Sequence, residues 1–198
     1  MYALTSLLLW LLSAIVWKAD VPGLLYKTGA EDKLSWLSGN PLVYGIAFGL
    51  MAGLLFQPLA VKFNPRLMAT VKRQMKKLDF FLPFTPTERI WFGVVSVSAG
   101  VCEETLYRGF LYHFFRNITQ WDVIAALAAS AIVFGLAHGY QGIVGICVTG
   151  VLGAALTLIY LGTGSLLVPM IIHAALDLRI LLFPKPDDDL ERLPQPAV

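Results

Sequence analysis

Two adjacent glutamates and an arginine lie inside a long apolar stretch of this chain. Glu103, Glu104 and Arg108 fall within residues 90–115, where charged side chains are costly to bury. Glu104 and Arg108 are four residues apart with the acid first, which is the favourable order for a helical ion pair. Glu103 points about 100° away around the same helix. Its carboxylate is therefore left available for chemistry.

Further titratable residues lie in two other apolar segments. His138 follows Phe134 by four residues, and Asp177 follows His173 by four residues. At this spacing a carboxylate can orient or charge an imidazole. If these groups converge with Glu103, they supply a base that takes a proton from water and donors for a developing oxyanion. That combination is the chemistry of hydrolysis.

Each of these pieces also has a purely structural interpretation. Glu104 with Arg108 can be a buried structural pair, and His138 can donate to the last carbonyls of its helix. His173 with Asp177 can be an inert hydrogen-bonded pair. Their joint occurrence on separate apolar segments favours function, because membrane proteins keep few polar groups without use.

Composition indicates that membrane helices must position these residues. The 198-residue chain is 57% hydrophobic and only 14% charged, which is more apolar than a soluble domain of this size. We predict an all-α fold, a polytopic membrane helix bundle with about six transmembrane helices and a cytoplasmic interfacial helix. The predicted spans are 2–17, 42–61, 90–115, 120–138, 142–162 and 165–183.

Local signals refine this organisation. Thr85-Pro86-Thr87-Glu88 has the pattern of a capping box, so the third helix is predicted over 86–115. The glycines that recur at four-residue spacing are assigned to close helix packing. They are Gly45, Gly49, Gly53, Gly135 and Gly139. The glycines at positions 142, 145, 150 and 153 are also assigned to packing, although their spacing is not four residues. Cys102 and Cys147 are interpreted as free thiols.

Charge distribution predicts the orientation. The loop between the second and third spans is the most basic, so the positive-inside rule places it and both termini in the cytoplasm. Within this loop an apolar face at helical spacing opposes lysines and arginines, which favours an interfacial helix on anionic headgroups over a solvated basic linker. The apolar face consists of Leu67, Val71, Met75 and Leu78. The net charge of +2 gives no indication of nucleic-acid binding.

Three short motifs carry a family resemblance. Glu103-Glu104-Thr-Leu-Tyr-Arg108 resembles the E-E-x-x-x-R motif of the CPBP family, also called ABI, of intramembrane proteases related to CAAX prenyl endopeptidase type II. Phe134-Gly-Leu-Ala-His138 resembles its F-x-x-x-H motif. His173-Ala-Ala-Leu-Asp177 resembles its third motif, in which a polar residue follows the histidine by four. The motifs occur in the family order on successive helices.

The resemblance implies a glutamate-dependent intramembrane endopeptidase acting on a membrane-associated peptide or protein. It implies that Glu103 activates water with help from His138, and that His173 and Asp177 stabilise the oxyanion. Glu104 and Arg108, with Phe134, would support the site. The implied layout is one membrane domain over 1–183, with its protease-like core at 85–183, and a flexible cytoplasmic tail at 184–198. The expected location is the bacterial plasma membrane, as a multi-pass protein in contact with lipid.

Asp177 departs from the family pattern, because many members have asparagine there. An ionised carboxylate repels an oxyanion rather than donating to it. Asp177 is therefore either protonated by burial or supports a protonated His173 that does the donating, and we favour the second scheme.

Several alternatives remain open at this level. Glu103, His138 and His173 could in principle hold zinc with one open position, although metal-free catalysis is favoured because it leaves Glu103 free as the base. A non-catalytic membrane partner, such as a bacteriocin self-immunity protein, fits family precedent. A proton-coupled transporter is disfavoured because no inverted repeat is evident. Counting residues from the outer span ends places Glu103, His138 and His173 at unequal depths in the membrane, roughly 20, 27 and 12 Å respectively.

Overall fold

The part of the chain that the structure describes is helical throughout. The computed structural model describes residues 10–11, 14, 40–77 and 82–183, and no β-strand occurs within them, which confirms the predicted all-α class. The α-helices are α1 Pro41–Phe63, α2 Pro65–Lys77, α3 Pro86–Glu104, α4 Val123–Ala137, α5 Gly142–Thr163 and α6 Leu167–Leu178. The π-helical segments are Thr105–Leu111 and Phe114–Ile118, and the 3-10 turns are Gly139–Gln141 and Arg179–Leu182.

Helix α3 begins where its sequence predicts. The Thr85 side chain accepts from the backbone N–H of Glu88, and the Glu88 carboxylate accepts from the backbone N–H of Thr85 at 2.9 Å. Pro86 occupies the first turn, where its missing N–H costs no hydrogen bond. The predicted capping box is therefore confirmed.

The second half of the predicted third helix is not a regular α-helix. Immediately after Glu104 the chain continues as the π-helical segment Thr105–Leu111. Two side-chain hydroxyls bond to carbonyls around this change: Thr105 Oγ1 donates to the Val101 carbonyl at 2.8 Å, and Ser130 Oγ donates to the Tyr107 carbonyl at 2.9 Å. Such segments are frequent at functional sites in helices. The helix predicted over 86–115 is therefore continuous, but most of its second half is π-helical.

Two described helices are long and apolar enough to cross a membrane, namely α1 and the run Gly139–Thr163 that contains α5. Only 12% and 22% of their most apolar windows are buried within the molecule, unlike the core helix of a soluble protein. Helix α4 has 15 residues and α6 has 12, so α6 extends for about 18 Å against a hydrocarbon core of about 30 Å. The six-span prediction is not confirmed.

Some predictions fall on parts of the chain that the structure does not describe. The span at 2–17 lies outside it except for residues 10–11 and 14, which are helical, and the tail at 184–198 lies outside it entirely. The predicted interfacial segment forms helix α2, with Leu67 37% exposed. Its position at a membrane surface stays a prediction.

Small residues allow the helices around the site to approach one another closely. A Cβ at Gly100 of α3 would lie 2.9 Å from Ala174 Cβ of α6, and a Cβ at Gly135 of α4 would lie 2.6 Å from the Ile146 carbonyl of α5. These helix pairs can therefore pack backbone to backbone, as predicted for Gly135. The same prediction is not supported for the α1 glycines, since among the described residues nothing lies within 4 Å of a Cβ placed there.

Helices α1, α5 and α6 share an apolar core beside the α3–α6 contact. The buried members of this core are Val43, Leu54, Leu156, Ile159, Ile172 and Leu176. Gly162 of α5 allows the closest approach, because a Cβ there would lie 2.5 Å from Val43 Cγ1. Burial of these side chains fixes α6 against α5, and hence fixes the position of His173, the neighbour of Ile172 in the chain.

Candidate active site

Glu104 is the centre of a buried hydrogen-bonded network. Its Oε1 atom accepts from Arg108 Nη1 at 2.7 Å and is paired with His173 Nδ1 at 2.7 Å. The side chains of Glu104 and Arg108 are 0% and 1% exposed. Because an ionised carboxylate only accepts hydrogen bonds, His173 Nδ1 carries the proton in this contact. Glu104 thus joins helix α3, the π-helical segment and helix α6.

Arg108 is held from three directions. Besides Glu104, its Nη2 atom donates to the Gly153 carbonyl of α5 at 2.9 Å, and its guanidinium lies 4.5 Å from the centre of the Phe134 ring of α4. This cation–π contact is favourable in a dry interior. A Cβ at Gly153 would lie 2.9 Å from Phe134 Cδ1 and 3.3 Å from Arg108 Nη2. Glycine at 153 therefore gives both side chains the space they occupy.

The Phe134 ring also contacts the two imidazoles of the site. Its centroid lies 4.7 Å from that of His138 and 5.9 Å from that of His173, the second in an edge-to-face arrangement. Phe134 itself is 1% exposed. One apolar ring thus contacts the arginine and both histidines.

Glu103 lies on the other side of the His173 ring from Glu104 and faces Nε2 of that ring. Its Oε2 atom lies 4.0 Å from His138 Nε2 and 3.9 Å from His173 Nε2, and its side chain is 19% exposed. This oxygen accepts no hydrogen bond from the part of the chain that the structure describes. Separations near 4 Å exceed hydrogen-bond length, so a small molecule is needed to connect these three atoms.

The hydrogen bonds of the two histidines fix which nitrogen faces Glu103. His138 Nδ1 lies 2.8 Å from the Phe134 carbonyl, which can only accept, so His138 Nδ1 carries a proton. The structural interpretation of His138 as a donor to the last turn of its helix is therefore correct. It is compatible with a functional role, because Nε2 of the same ring points toward Glu103.

Asp177 lies at the edge of this group. Its Oδ2 atom is 3.8 Å from His173 Nε2, and its side chain is 39% exposed. The expectation that Asp177 orients the imidazole needs correction, because the direct carboxylate partner of His173 is Glu104. The cause is geometric: His173 turns Nδ1 into the buried network and Nε2 toward Glu103 and Asp177.

All the predicted site residues come together in one region. Glu103, His138, His173 and Asp177 surround the open side, and Glu104, Arg108 and Phe134 form the buried side. The predicted unequal depths are wrong, since both histidines lie within about 4 Å of the same Glu103 oxygen. Helix α6 begins only at Leu167, and His138 ends α4 as its C-cap, so the assumed straight spans misplaced both residues.

Residues 85–179 match the family model described as type II CAAX prenyl endopeptidase Rce1-like. This part of the chain is therefore similar to that family. The match begins at the cap of α3 and ends just after α6, so the Rce1-like region contains every residue of the site. Neither curated proteins nor solved structures gave a match. The family is one of membrane-embedded CAAX-type proteases, and the two long apolar helices agree with that setting.

Sequence reasoning missed two contributors to the Rce1-like site. Gly153 was assigned to helix packing alone, although its carbonyl also binds Arg108. Ser130 was not singled out, although its hydroxyl bonds the Tyr107 carbonyl in the π-helical segment. A backbone acceptor leaves no signal in the sequence. A serine in an apolar helix is the one detectable hint here, because buried hydroxyls need partners.

The arrangement does not fit a tetrahedral zinc ion. Two ligands of one zinc are roughly 3.3 Å apart when each bond is about 2.0–2.1 Å. The Glu103 oxygen is 4.0 and 3.9 Å from the two imidazole nitrogens. Within the described ranges no group of three histidine, cysteine, aspartate or glutamate side chains is placed to hold a metal. The chemistry of the site is therefore derived from its own side chains.

Proposed function

We propose that the chain is an intramembrane endopeptidase that hydrolyses a peptide bond of a membrane-associated substrate with water activated by Glu103. The observation that carries this proposal is the position of Glu103 Oε2, which faces Nε2 of both His138 and His173 and accepts no hydrogen bond from the described residues. A carboxylate so placed is available as a general base, whereas Glu104 Oε1 is held by both Arg108 and His173.

In the proposed first step a water molecule bridges Glu103 and His138. Glu103 takes one proton from this water, and the resulting hydroxide oxygen attacks the carbonyl carbon of the scissile peptide. His138 Nε2 accepts the second hydrogen bond of the water and so aligns it, because His138 Nδ1 is already committed to the Phe134 carbonyl. The carbonyl π-electrons move onto oxygen, which becomes the oxyanion of the tetrahedral intermediate.

His173 is the proposed cationic donor to that oxyanion. Glu104 binds its Nδ1–H directly, and Asp177 and Glu103 lie 3.8 and 3.9 Å from its Nε2 atom. Three carboxylates around one imidazole favour the imidazolium, whose Nε2–H can donate. The intermediate collapses when the C–N bond breaks, and protonated Glu103 returns its proton to the leaving amine. Glu103 ends each cycle ionised, as it began.

The substrate class is part of the proposal. The family is named for prenylated CAAX peptides, but we propose peptide-bond hydrolysis at the membrane without restricting it to CAAX sequences. No zinc ion takes part in the proposed reaction, because the spacing of Glu103, His138 and His173 is too wide for one tetrahedral ion.

The test is hydrolysis by the full chain reconstituted in lipid nanodiscs. Membrane peptides are incubated in H₂¹⁸O with the native chain or with Glu103→Ala, and new C-termini are read by mass spectrometry. A hydrolase places one ¹⁸O atom in each new carboxylate, and we expect these only with the native chain. A farnesylated CAAX peptide, a non-prenylated peptide of the same sequence and a chelator-treated sample form parallel arms.

Identical peptide profiles for the two proteins would overturn the protease proposal and favour a non-catalytic membrane partner. Proton flux in liposomes without peptide cleavage would instead favour a transporter. Loss of cleavage after chelation, restored by zinc, would overturn the metal-free mechanism while leaving the hydrolase assignment in place.

A further inference from the structure

The open side of the site has few groups that can donate a hydrogen bond to an oxyanion. His138 Nδ1–H is committed to the Phe134 carbonyl, and His173 Nδ1–H is committed to Glu104. Asp177, when ionised, only accepts. Of these side chains, only a protonated His173 has a donor left, at Nε2. Oxyanions are commonly bound by more than one donor, so a second donor is expected near this position.

Tyr107 carries such a donor. It lies in the π-helical segment, four residues after Glu103 and directly before Arg108 in the chain. The side chain is only partly buried. Its hydroxyl makes no hydrogen bond to any residue in the described ranges. The phenolic O–H is therefore available to a substrate.

The Tyr107 ring is held in place from two sides. It packs edge-to-face against Phe134 with a centroid distance of 4.9 Å and an interplanar angle of 82°. Its backbone carbonyl accepts from Ser130 Oγ at 2.9 Å, which anchors the π-helical segment to α4. Phe134 is the same ring that contacts His138 and His173. A donor fixed in this way loses little reorganisation energy during the reaction.

We propose that Tyr107 is a further catalytic residue, whose phenolic O–H donates to the carbonyl oxygen of the scissile peptide as negative charge develops there. The proton stays on Tyr107 throughout, and protonated His173 is the other donor. This inference rests on the proposed peptidase function and adds to it a neutral donor that works regardless of the protonation of any histidine.

Tyr140 is the competing tyrosine. Its ring centroid lies 5.9 Å from that of His138, but its hydroxyl accepts from Gln141 at 3.1 Å and the residue is 55% exposed. Because its ring is more exposed, Tyr140 is less well fixed by packing than Tyr107. A tyrosine-to-phenylalanine substitution at each position distinguishes Tyr107 from Tyr140.

The experiment compares Tyr107→Phe with Tyr140→Phe in nanodiscs, using a fluorogenic peptide built on a cleavage sequence from the ¹⁸O mapping. Tyr107→Phe keeps the ring contact with Phe134 and removes only the hydroxyl. Loss of one oxyanion donor is expected to lower kcat by about 30- to 300-fold with KM changed less than about threefold. Tyr140→Phe is expected to keep at least about half the native kcat.

A double-mutant cycle with Asp177→Asn sharpens the test. The amide that this substitution introduces would supply a donor beside His173, so the Tyr107→Phe loss should shrink to less than about tenfold in that background. A merely structural role of the hydroxyl would give the same loss in both backgrounds. Inhibition by the corresponding peptide aldehyde, which hydrates to a tetrahedral diol, should weaken in Tyr107→Phe alone.

Native kcat in Tyr107→Phe, or an equal loss in both Asp177 backgrounds, would overturn the role of Tyr107. It would leave the protease proposal intact as long as Glu103→Gln is inactive. Loss in Tyr140→Phe but not in Tyr107→Phe would assign the donor to Tyr140 instead. Full activity of Glu103→Gln would overturn the proposed mechanism itself, and with it this inference.

Discussion

The two neighbouring glutamates occupy opposite kinds of environment. Glu104 is fully buried, bonded at 2.7 Å to both Arg108 and His173, and linked through them to α5 and α6. Glu103 is 19% exposed, and its nearest imidazole nitrogens are 3.9 and 4.0 Å away. One peptide bond separates a buried, directly hydrogen-bonded network, the closed side, from side chains whose facing atoms lie beyond hydrogen-bond distance, the open side. Stability is concentrated on one side and reactivity on the other.

The largest effect should come from the open side. Glu103→Gln keeps the shape of the side chain but removes the general base, so kcat should fall by about 10³-fold or more. Thermal stability should change little, because Glu103 Oε2 accepts no hydrogen bond from the described residues. Cleavage of the fluorogenic peptide gives the rate.

Unfolding can be followed through the chain's own thiols. Cys102 is buried and Cys147 is exposed, so in a Cys147→Ser background a thiol-reactive dye reports exposure of Cys102. A stability loss in Glu103→Gln as large as that in Glu104→Gln would contradict the division between the two sides.

The closed side should show the reverse pattern. Glu104→Gln retains an acceptor for Arg108 and His173 but leaves the buried guanidinium without a counter-charge, which typically costs about 3–5 kcal/mol. The temperature at which half of the molecules expose Cys102 to the dye should therefore fall sharply, and activity should fall with it. An unchanged midpoint would show that the Glu104–Arg108 pair is dispensable for folding. Lys62→Gln, at the exposed end of α1, is the control for removal of a charge.

A smaller effect is expected where α5 meets the closed side. Gly153→Ala places a Cβ 2.9 Å from Phe134 Cδ1, and such overpacking costs about 1–3 kcal/mol. Gly93→Ala on α3 is the matched control, since its nearest neighbour is Leu178 Cδ2 at 3.8 Å. We expect the control to be neutral or slightly stabilising in the Cys102 assay. Equal midpoints for the two variants would mean that Gly153 is not required for space.

The smallest effect should come from the edge of the open side. Asp177→Asn removes one of three carboxylates around His173, while Glu104 keeps its direct hydrogen bond to the ring. Weaker support of the imidazolium should lower kcat by about tenfold. Retention of full activity would contradict the expected loss and would show that a hydrogen-bond donor at residue 177 serves at least as well as the carboxylate.

Sequence reasoning performed well where the determinants are local. The capping box of α3 and the pairing geometry of Glu104 with Arg108 follow from spacing alone, because they depend only on neighbours along one helix. The partner of His173 could not be predicted, since Glu104 is 69 residues away and the contact depends on how α3 crosses α6.

The lengths of the helices could not be predicted from the sequence either. Apolar composition continues past the end of α6 at Leu178, so hydropathy alone does not reveal where the helix tightens into a 3-10 turn. The change from α- to π-helix after Glu104 depends on long-range bonds such as that from Ser130 to the Tyr107 carbonyl. Such tertiary contacts override local preference and leave no periodic signature.

The π-helical segment after Glu104 changes how this helix responds to insertion and deletion. A π-helical turn accommodates an extra residue within the helix. Deleting one residue after Arg108 in this segment would allow the helix to become regular while later side chains keep nearly the same direction. The same deletion within α3 would turn every later side chain by about 100°. The π-helical segment is therefore the part of the helix that best tolerates a change in length, a constraint on how such chains can diverge.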